Sequence, residues 1–136
     1  MYRLQVKTHF DAAHYLKDYD GKCNREHGHR WDVEVCIQGK ELNSCNMVVD
    51  FKTVKGALNC YIEKYLDHFQ LNETLKEDNP TAEFLAKWLF DMMDNWVRRI
   101  FVVDGVVYLR LARVCVWESP DCCVKYSSNM GSINDV

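Results

Sequence analysis

His27-Gly28-His29-Arg30-Trp31-Asp32-Val33-Glu34-Val35-Cys36-Ile37-Gln38 alternates large apolar residues with polar ones at a period of two. That period is the mark of a strand buried on one face. Trp31, Val33, Val35 and Ile37 form the apolar set, and His27 and His29 share their parity. A strand that extends back to the two histidines therefore points them inward with the apolar face. Imidazoles held inside a protein need partners.

Upstream, Tyr2, Leu4 and Val6 alternate with Arg3, Gln5 and Lys7 and lead into Phe10, Ala12 and Ala13, a first strand that ends at His14. A polar, Gly-containing stretch from Lys17 to Gly28 separates the two strands, and a hairpin-like connection there would lay them side by side. Downstream, Asp50 is a good N-cap for Val54, Leu58, Tyr61, Ile62 and Leu66, which recur at helical spacing to about Tyr65. Pro80-Thr81 opens a second helix carrying Phe84, Leu85, Trp88, Leu89, Met92 and Trp96 as core residues. Val106 to Trp117 reads as one long strand and Cys122 to Tyr126 as a short last one.

The order strand, strand, helix, helix, strand, strand predicts an α+β fold, two helices covering one face of a four-stranded antiparallel sheet. Residues 1–126 make one domain, and residues 127–136 are expected to be a flexible C-terminal tail. So small a sheet leaves two edges and part of one face uncovered, so a homo-oligomer is expected.

A hydrophobic share of 48% against 27% charged residues excludes the disordered classes. A net charge of -3 and a pI near 5.9, with Lys and Arg in no obvious stripe, argue against nucleic acid as a partner. No apolar run is long enough for a membrane span and MYRLQVKTHF lacks a signal peptide's apolar block. Seven irregularly spaced cysteines suit a reducing compartment rather than a disulfide framework. A cytoplasmic location follows, with burial the default for Cys36, Cys60 and Cys115.

His14, His27 and His29 are thus candidate ligands to one ion. Three imidazoles leave zinc a fourth, open position, the arrangement of a catalytic rather than a structural site. Cys23, four residues before His27, is a candidate base, because a nearby metal lowers a thiol's pKa. Asp67-His68 has the order of a carboxylate-oriented imidazole. Glu118, after a very apolar strand, either reaches water or is held inside for a ligand. Taken singly, each of these features is unspecific.

Together, Phe10-Asp11-Ala12-Ala13-His14, Cys23-Asn24-Arg25-Glu26-His27-Gly28-His29, Val49-Asp50-Phe51, Leu66-Asp67-His68, Asn79-Pro80-Thr81-Ala82-Glu83 and Trp117-Glu118 stand in the order and spacing of one family. In them the chain resembles the 6-pyruvoyltetrahydropterin synthase superfamily. The resemblance implies the tunnelling fold, commonly a homohexamer with active sites between subunits. It also implies zinc on His14, His27 and His29, Cys23 as proton acceptor, and Asp67 and His68 as a relay. Glu118 would pair with the pterin, with Thr81 and Glu83 as lesser contributors to the pterin pocket.

Three residues between Cys23 and His27 make the chain similar to the 6-carboxy-5,6,7,8-tetrahydropterin synthase branch of queuosine biosynthesis, which acts on 7,8-dihydroneopterin triphosphate. Glu26 adds an alternative. Relatives with glutamate in place of the cysteine form 6-hydroxymethyl-7,8-dihydropterin for folate synthesis, so Glu26 either adds that activity or is a solvated loop residue. A 6-pyruvoyltetrahydropterin synthase is a further alternative within the family. Lys22, Arg25 and Arg30 are the cations nearest to hand for the triphosphate. Outside pterin chemistry, a zinc hydrolase or hydratase, or a zinc-stabilised binding module, would also use three histidines.

Overall fold

The computed structural model describes residues 1–128. Its elements are β1 (Tyr2–His14), β2 (His27–Gly39), α1 (Phe51–Tyr65), the single turn α2 (Leu71–Thr74), α3 (Ala82–Phe101), the short β3 (Val102–Val103) and β4 (Val106–Val107), β5 (Leu109–Ser119) and β6 (Cys122–Tyr126). The main sheet is four-stranded and antiparallel, in the order β1-β2-β5-β6. This is the expected α+β arrangement.

Register places the histidines. β1 and β2 pair without a slip from Tyr2 opposite Gly39 to His14 opposite His27, so the apolar parity of each strand extends to its histidines. On that face Phe10, Trp31, Val33, Val35 and Ile37 bury against Val54, Leu58 and Ile62 of α1 and Leu85, Leu89, Met93 and Val97 of α3. Each such side chain contributes about 1.5–3 kcal/mol by leaving water. Both helices start where their caps predict. The Asp50 carboxylate accepts from the Lys52 amide at 2.8 Å, and the Thr81 hydroxyl from the Phe84 amide at 3.2 Å.

Several expectations need correction. Val106 to Trp117 is not one strand: Asp104 (φ 50°) and Gly105 (φ 77°) make a two-residue turn that folds Val106-Val107 back on Val102-Val103. β5 starts only after Tyr108, whose amide donates to the Phe101 carbonyl. The turn α2 was not anticipated. Cys36 and Cys115 are buried but Cys60 is exposed, on the solvent side of α1. Of the expected tail 127–136, all but the first two residues lie outside the described ones.

The cations that look scattered in sequence gather on the sheet face away from the helices. Alternation along the paired strands puts Arg3, Lys7, Arg30, Arg110, Arg113 and Lys125 there, against the three acids Asp11, Asp32 and Glu34. A β-bulge, with Cys36 opposite Arg113 and Ile37 opposite Leu111, keeps Arg113 on that face. No helix among the described residues is long and apolar enough to cross a membrane.

Candidate metal centre and active site

At the end of the sheet where β1 meets β2, the ligand atoms of His14, His27, His29 and Glu118 lie within 4.8 Å of one another. The ring centroids are 4.6 Å apart for His14 and His27, 4.8 Å for His27 and His29, and 5.1 Å for His14 and His29. Trp31 braces two of them edge-on, at 4.9 Å from His14 and 5.2 Å from His29. Its indole N–H is tied to the Ala12 carbonyl at 3.3 Å, which fixes the ring against β1.

The hydrogen bonds set the tautomers. A carbonyl can only accept, so His14 Nδ1 donates to Pro80 O at 2.8 Å and His27 Nδ1 donates to Arg25 O at 2.7 Å. Each neutral ring then presents the lone pair of Nε2, the form a metal requires. His14 Nε2 and His29 Nε2 are buried and have no hydrogen-bond partner. Burial, helped by the neighbouring His27, depresses the pKa of both imidazoles and favours their neutral form; at His14 it outweighs the Pro80 hydrogen bond and Glu118, which act the other way. Buried imidazole nitrogens that make no hydrogen bond and converge within 4.8 Å fit a divalent ion.

Glu118 joins this cluster, which the sequence reading did not anticipate. Its Oε1 is 3.2 Å from His29 Nε2 and 3.9 Å from His14 Nε2. The parity of β5 carries the signal: Glu118 stands two residues beyond the buried Val116, on the same face. What sequence alone lacked was the β2–β5 register that brings that face beside His29.

Asp67 and His68 form the expected dyad, in a separate place. His68 Nδ1 is 2.9 Å from one Asp67 carboxylate oxygen, and the other accepts from the Asp11 amide at 3.0 Å. The His68 amide donates to Asp11 O at 2.7 Å, which pins the segment after α1 along the free edge of β1. His68 is largely exposed and adopts φ 62°, an unusual backbone for histidine that this pinning maintains. Asp11 and Arg30 pair at 3.1 and 3.3 Å beside it, and Asp67 is held below the usual carboxylate range chiefly by the Asp11 amide. Asp11, Gly28, Arg30 and His68, together with His29 of the cluster, line an open hollow of about 560 Å³. Arg30, proposed from sequence for a triphosphate, is therefore on the face opposite the histidine parity and engaged with Asp11.

Cys23 sits half-buried in the 3-10 turn Lys22–Asn24, its carbonyl accepting from the Leu16 amide at 2.8 Å. It belongs neither to the histidine cluster nor to the Asp11-Asp67-His68 group. Thr81 serves as the α3 cap, while Glu83 and Glu26 are exposed, and none of the three belongs to the ligand cluster found among the described residues.

The 6-pyruvoyl tetrahydropterin synthase family model matches residues 3–129, nearly the whole chain. The chain belongs to this family. Among its curated relatives are the 6-carboxy-5,6,7,8-tetrahydropterin synthases of Synechocystis, 34% identical over 70% of this chain and 77% of that one, and of Bacillus subtilis, 26% identical over 98% and 90%. The solved 6-pyruvoyl tetrahydropterin synthase of Caenorhabditis elegans has the same fold, with a TM-score of 0.75 at 24% identity over 93% of this chain and 95% of that one. The Plasmodium vivax enzyme gives 0.68 at 16% identity, over 95% and 98%. As a member of this family the chain is a pterin-processing enzyme, and the histidine cluster is its candidate centre.

Proposed function

We propose that this family member is a zinc-dependent 6-carboxy-5,6,7,8-tetrahydropterin synthase, a carbon-carbon lyase of cytosolic queuosine biosynthesis. Its substrate is 7,8-dihydroneopterin triphosphate, which with one water is converted to 6-carboxytetrahydropterin, acetaldehyde and triphosphate. The observation that carries the reading is the convergence of three imidazoles, two of them with Nδ1 tied so that Nε2 presents its lone pair and two with a buried Nε2 that makes no hydrogen bond, beside the Cys-x-x-x-His-Gly-His spacing. The names of the curated relatives agree with it.

Zinc, held by His14, His27 and His29, would supply Lewis acidity that makes C–H and O–H protons of a bound side chain easier to remove. The chain's own residues do the rest. Pro80 O and Arg25 O hold two ligand rings in the metal-binding tautomer. Cys23 accepts a proton from the substrate side chain, and His68, oriented by Asp67, carries one at Nε2. Glu118 leaves the histidines to receive the amino-pyrimidine edge of the pterin, with Thr81 and Glu83 near the ring. Lys22 and Arg25 remain for the triphosphate.

Cys23 and the Asp67-His68 dyad fall outside the histidine ligand group, although His29 and His68 line one hollow, and a site completed between subunits of a homo-oligomer, by family resemblance a hexamer, would bring them together. Mixing Cys23→Ala with His68→Ala protein tests this, since shared sites regain part of the activity when subunits exchange. The primary experiment incubates the zinc-loaded protein with 7,8-dihydroneopterin triphosphate and identifies the pterins by mass. Formation of 6-carboxytetrahydropterin, lost in Cys23→Ala, is the expected result, and its absence from the wild type would overturn the reading. Glu26, exposed one residue before His27, keeps a second reading open. A 6-hydroxymethyl-7,8-dihydropterin product that disappears in Glu26→Ala would make the enzyme bifunctional.

A further inference from the structure

The end of the sheet remote from the histidines carries a second cavity, of about 430 Å³. Gln38 marks its position, nine residues beyond His29 on β2 and so about 30 Å away at the rise of a strand. Lys40, Arg110 and Gln38 supply its polar wall, and Val106, Val107 and Tyr108 its apolar one. We infer that this cleft binds a small amphipathic anion, with a phosphate or carboxylate head between Lys40 and Arg110 and an apolar body against the β3–β4 hairpin.

Charge is the first argument. On the same sheet face, Lys7 and Arg113 share the buried Glu34, each at 3.5 Å, and Arg30 is spent on Asp11. Among the described residues Lys40 and Arg110 have no acidic partner. Two uncompensated cations facing one concave space repel each other and favour an anion between them, the more so on a face with six cations to three acids. The Gln38 amide adds a neutral donor. Glu41, the one acid among the described residues that line the cleft, leaves the cations in excess.

Exposed apolar surface is the second, independent argument. Val106, Val107 and Tyr108 are 51%, 44% and 48% exposed, although they lie next to the chain's main core. A hairpin with two residues per strand gains little from such side chains, and its Asp-Gly turn would form with polar strands equally well. Apolar walls with a few convergent polar groups are the usual make-up of a small-molecule site, and the volume is within the usual range.

Calorimetric titration of the zinc-loaded wild type with octyl phosphate tests this, with inorganic phosphate and octanol as the two halves of the probe. One octyl phosphate should bind per chain, more tightly than either half. Arg110→Gln and Lys40→Gln should each weaken it about tenfold, the usual loss for one charge-assisted hydrogen bond. Val107→Ser should weaken octyl phosphate and leave inorganic phosphate unchanged. Wild-type affinity in both charge variants, or octanol or inorganic phosphate binding as well as octyl phosphate, would overturn the inference. Pterin turnover, followed on the same preparations, should be unchanged in all three variants. Its absence from the wild type would count against the proposed function and leave this result standing.

Discussion

Loading the histidine cluster with zinc should raise the melting temperature by about 10 °C, and His27→Ala should remove that rise at little cost to the metal-free protein. An ion at a hundredfold its dissociation constant stabilises the folded state by about 2.7 kcal/mol. A chain of this length gains about 4 °C per kcal/mol, which gives the predicted shift. His27 is only half-buried, and its one side-chain hydrogen bond among the described residues is the 2.7 Å bond to Arg25 O, so its loss costs the metal-free fold about 1 kcal/mol. His14 differs. It is 1% exposed, packs against Trp31 and both other histidines, and satisfies the buried Pro80 carbonyl. His14→Ala should therefore cost the metal-free protein about 2–4 kcal/mol as well as the metal increment. Differential scanning fluorimetry after chelation, with and without added zinc, separates the two effects. Glu118→Gln decides its role: a ligand's loss shrinks the increment, whereas a pterin anchor's loss leaves it whole. A wild type that melts at one temperature with and without metal, or a His27→Ala protein that keeps the rise, would refute the assignment of the cluster.

Four further outcomes are expected. Burial depresses the pKa of His14 and His29 below the ordinary 6.5, so between 6.5 and the lowered values the unfolded chain binds more protons than the folded one. The metal-free protein should thus keep full stability above about pH 6.5 and lose it as the pH falls through the lowered values; a melting temperature that is flat or rises on acidification would contradict this. His68→Gly should stabilise the chain by about 0.5–1 kcal/mol in urea while abolishing turnover, because φ 62° costs a histidine what it does not cost a glycine. Gly56→Ala, at an exposed α1 position with nothing near its added Cβ, should stabilise by about 1 kcal/mol in the same titration. Gly39→Ala should destabilise by about 1–3 kcal/mol, since its Cβ would meet Leu109 at 2.7 Å and Val48 at 2.8 Å.

What was legible in the sequence is what local period and local chemistry encode. Tyr2-Leu4-Val6 and Trp31 to Ile37 carry a period of two, and the same parity, continued to His14, His27 and His29, predicted which side chains would face inward. Asp50 and Thr81 marked the helix starts because a cap is a contact between residues two or three apart. The run from Val106 to Trp117 misled for a related reason. Valines favour strands wherever they stand, and only the positive φ at Asp104 and Gly105 turns the first pair back on α3's end instead of letting it join the sheet.

The site's composition was harder to read than its members because it depends on register between strands far apart in sequence. Glu118 was visible as a carboxylate after an apolar strand, but its 3.2 Å approach to His29 follows from β5 pairing with β2, which no spacing in the chain encodes. Arg30 shows the converse. Next to His29 in sequence, it looked like part of the same site, yet alternation sends it to the opposite face, where Asp11 on β1 meets it. Adjacent residues on a strand are the pair least able to share a site, whereas His14 and Glu118, a hundred residues apart, can meet at one ion. A constellation assembled from sequence on sheet strands is therefore sounder when its members share parity than when they are merely neighbours.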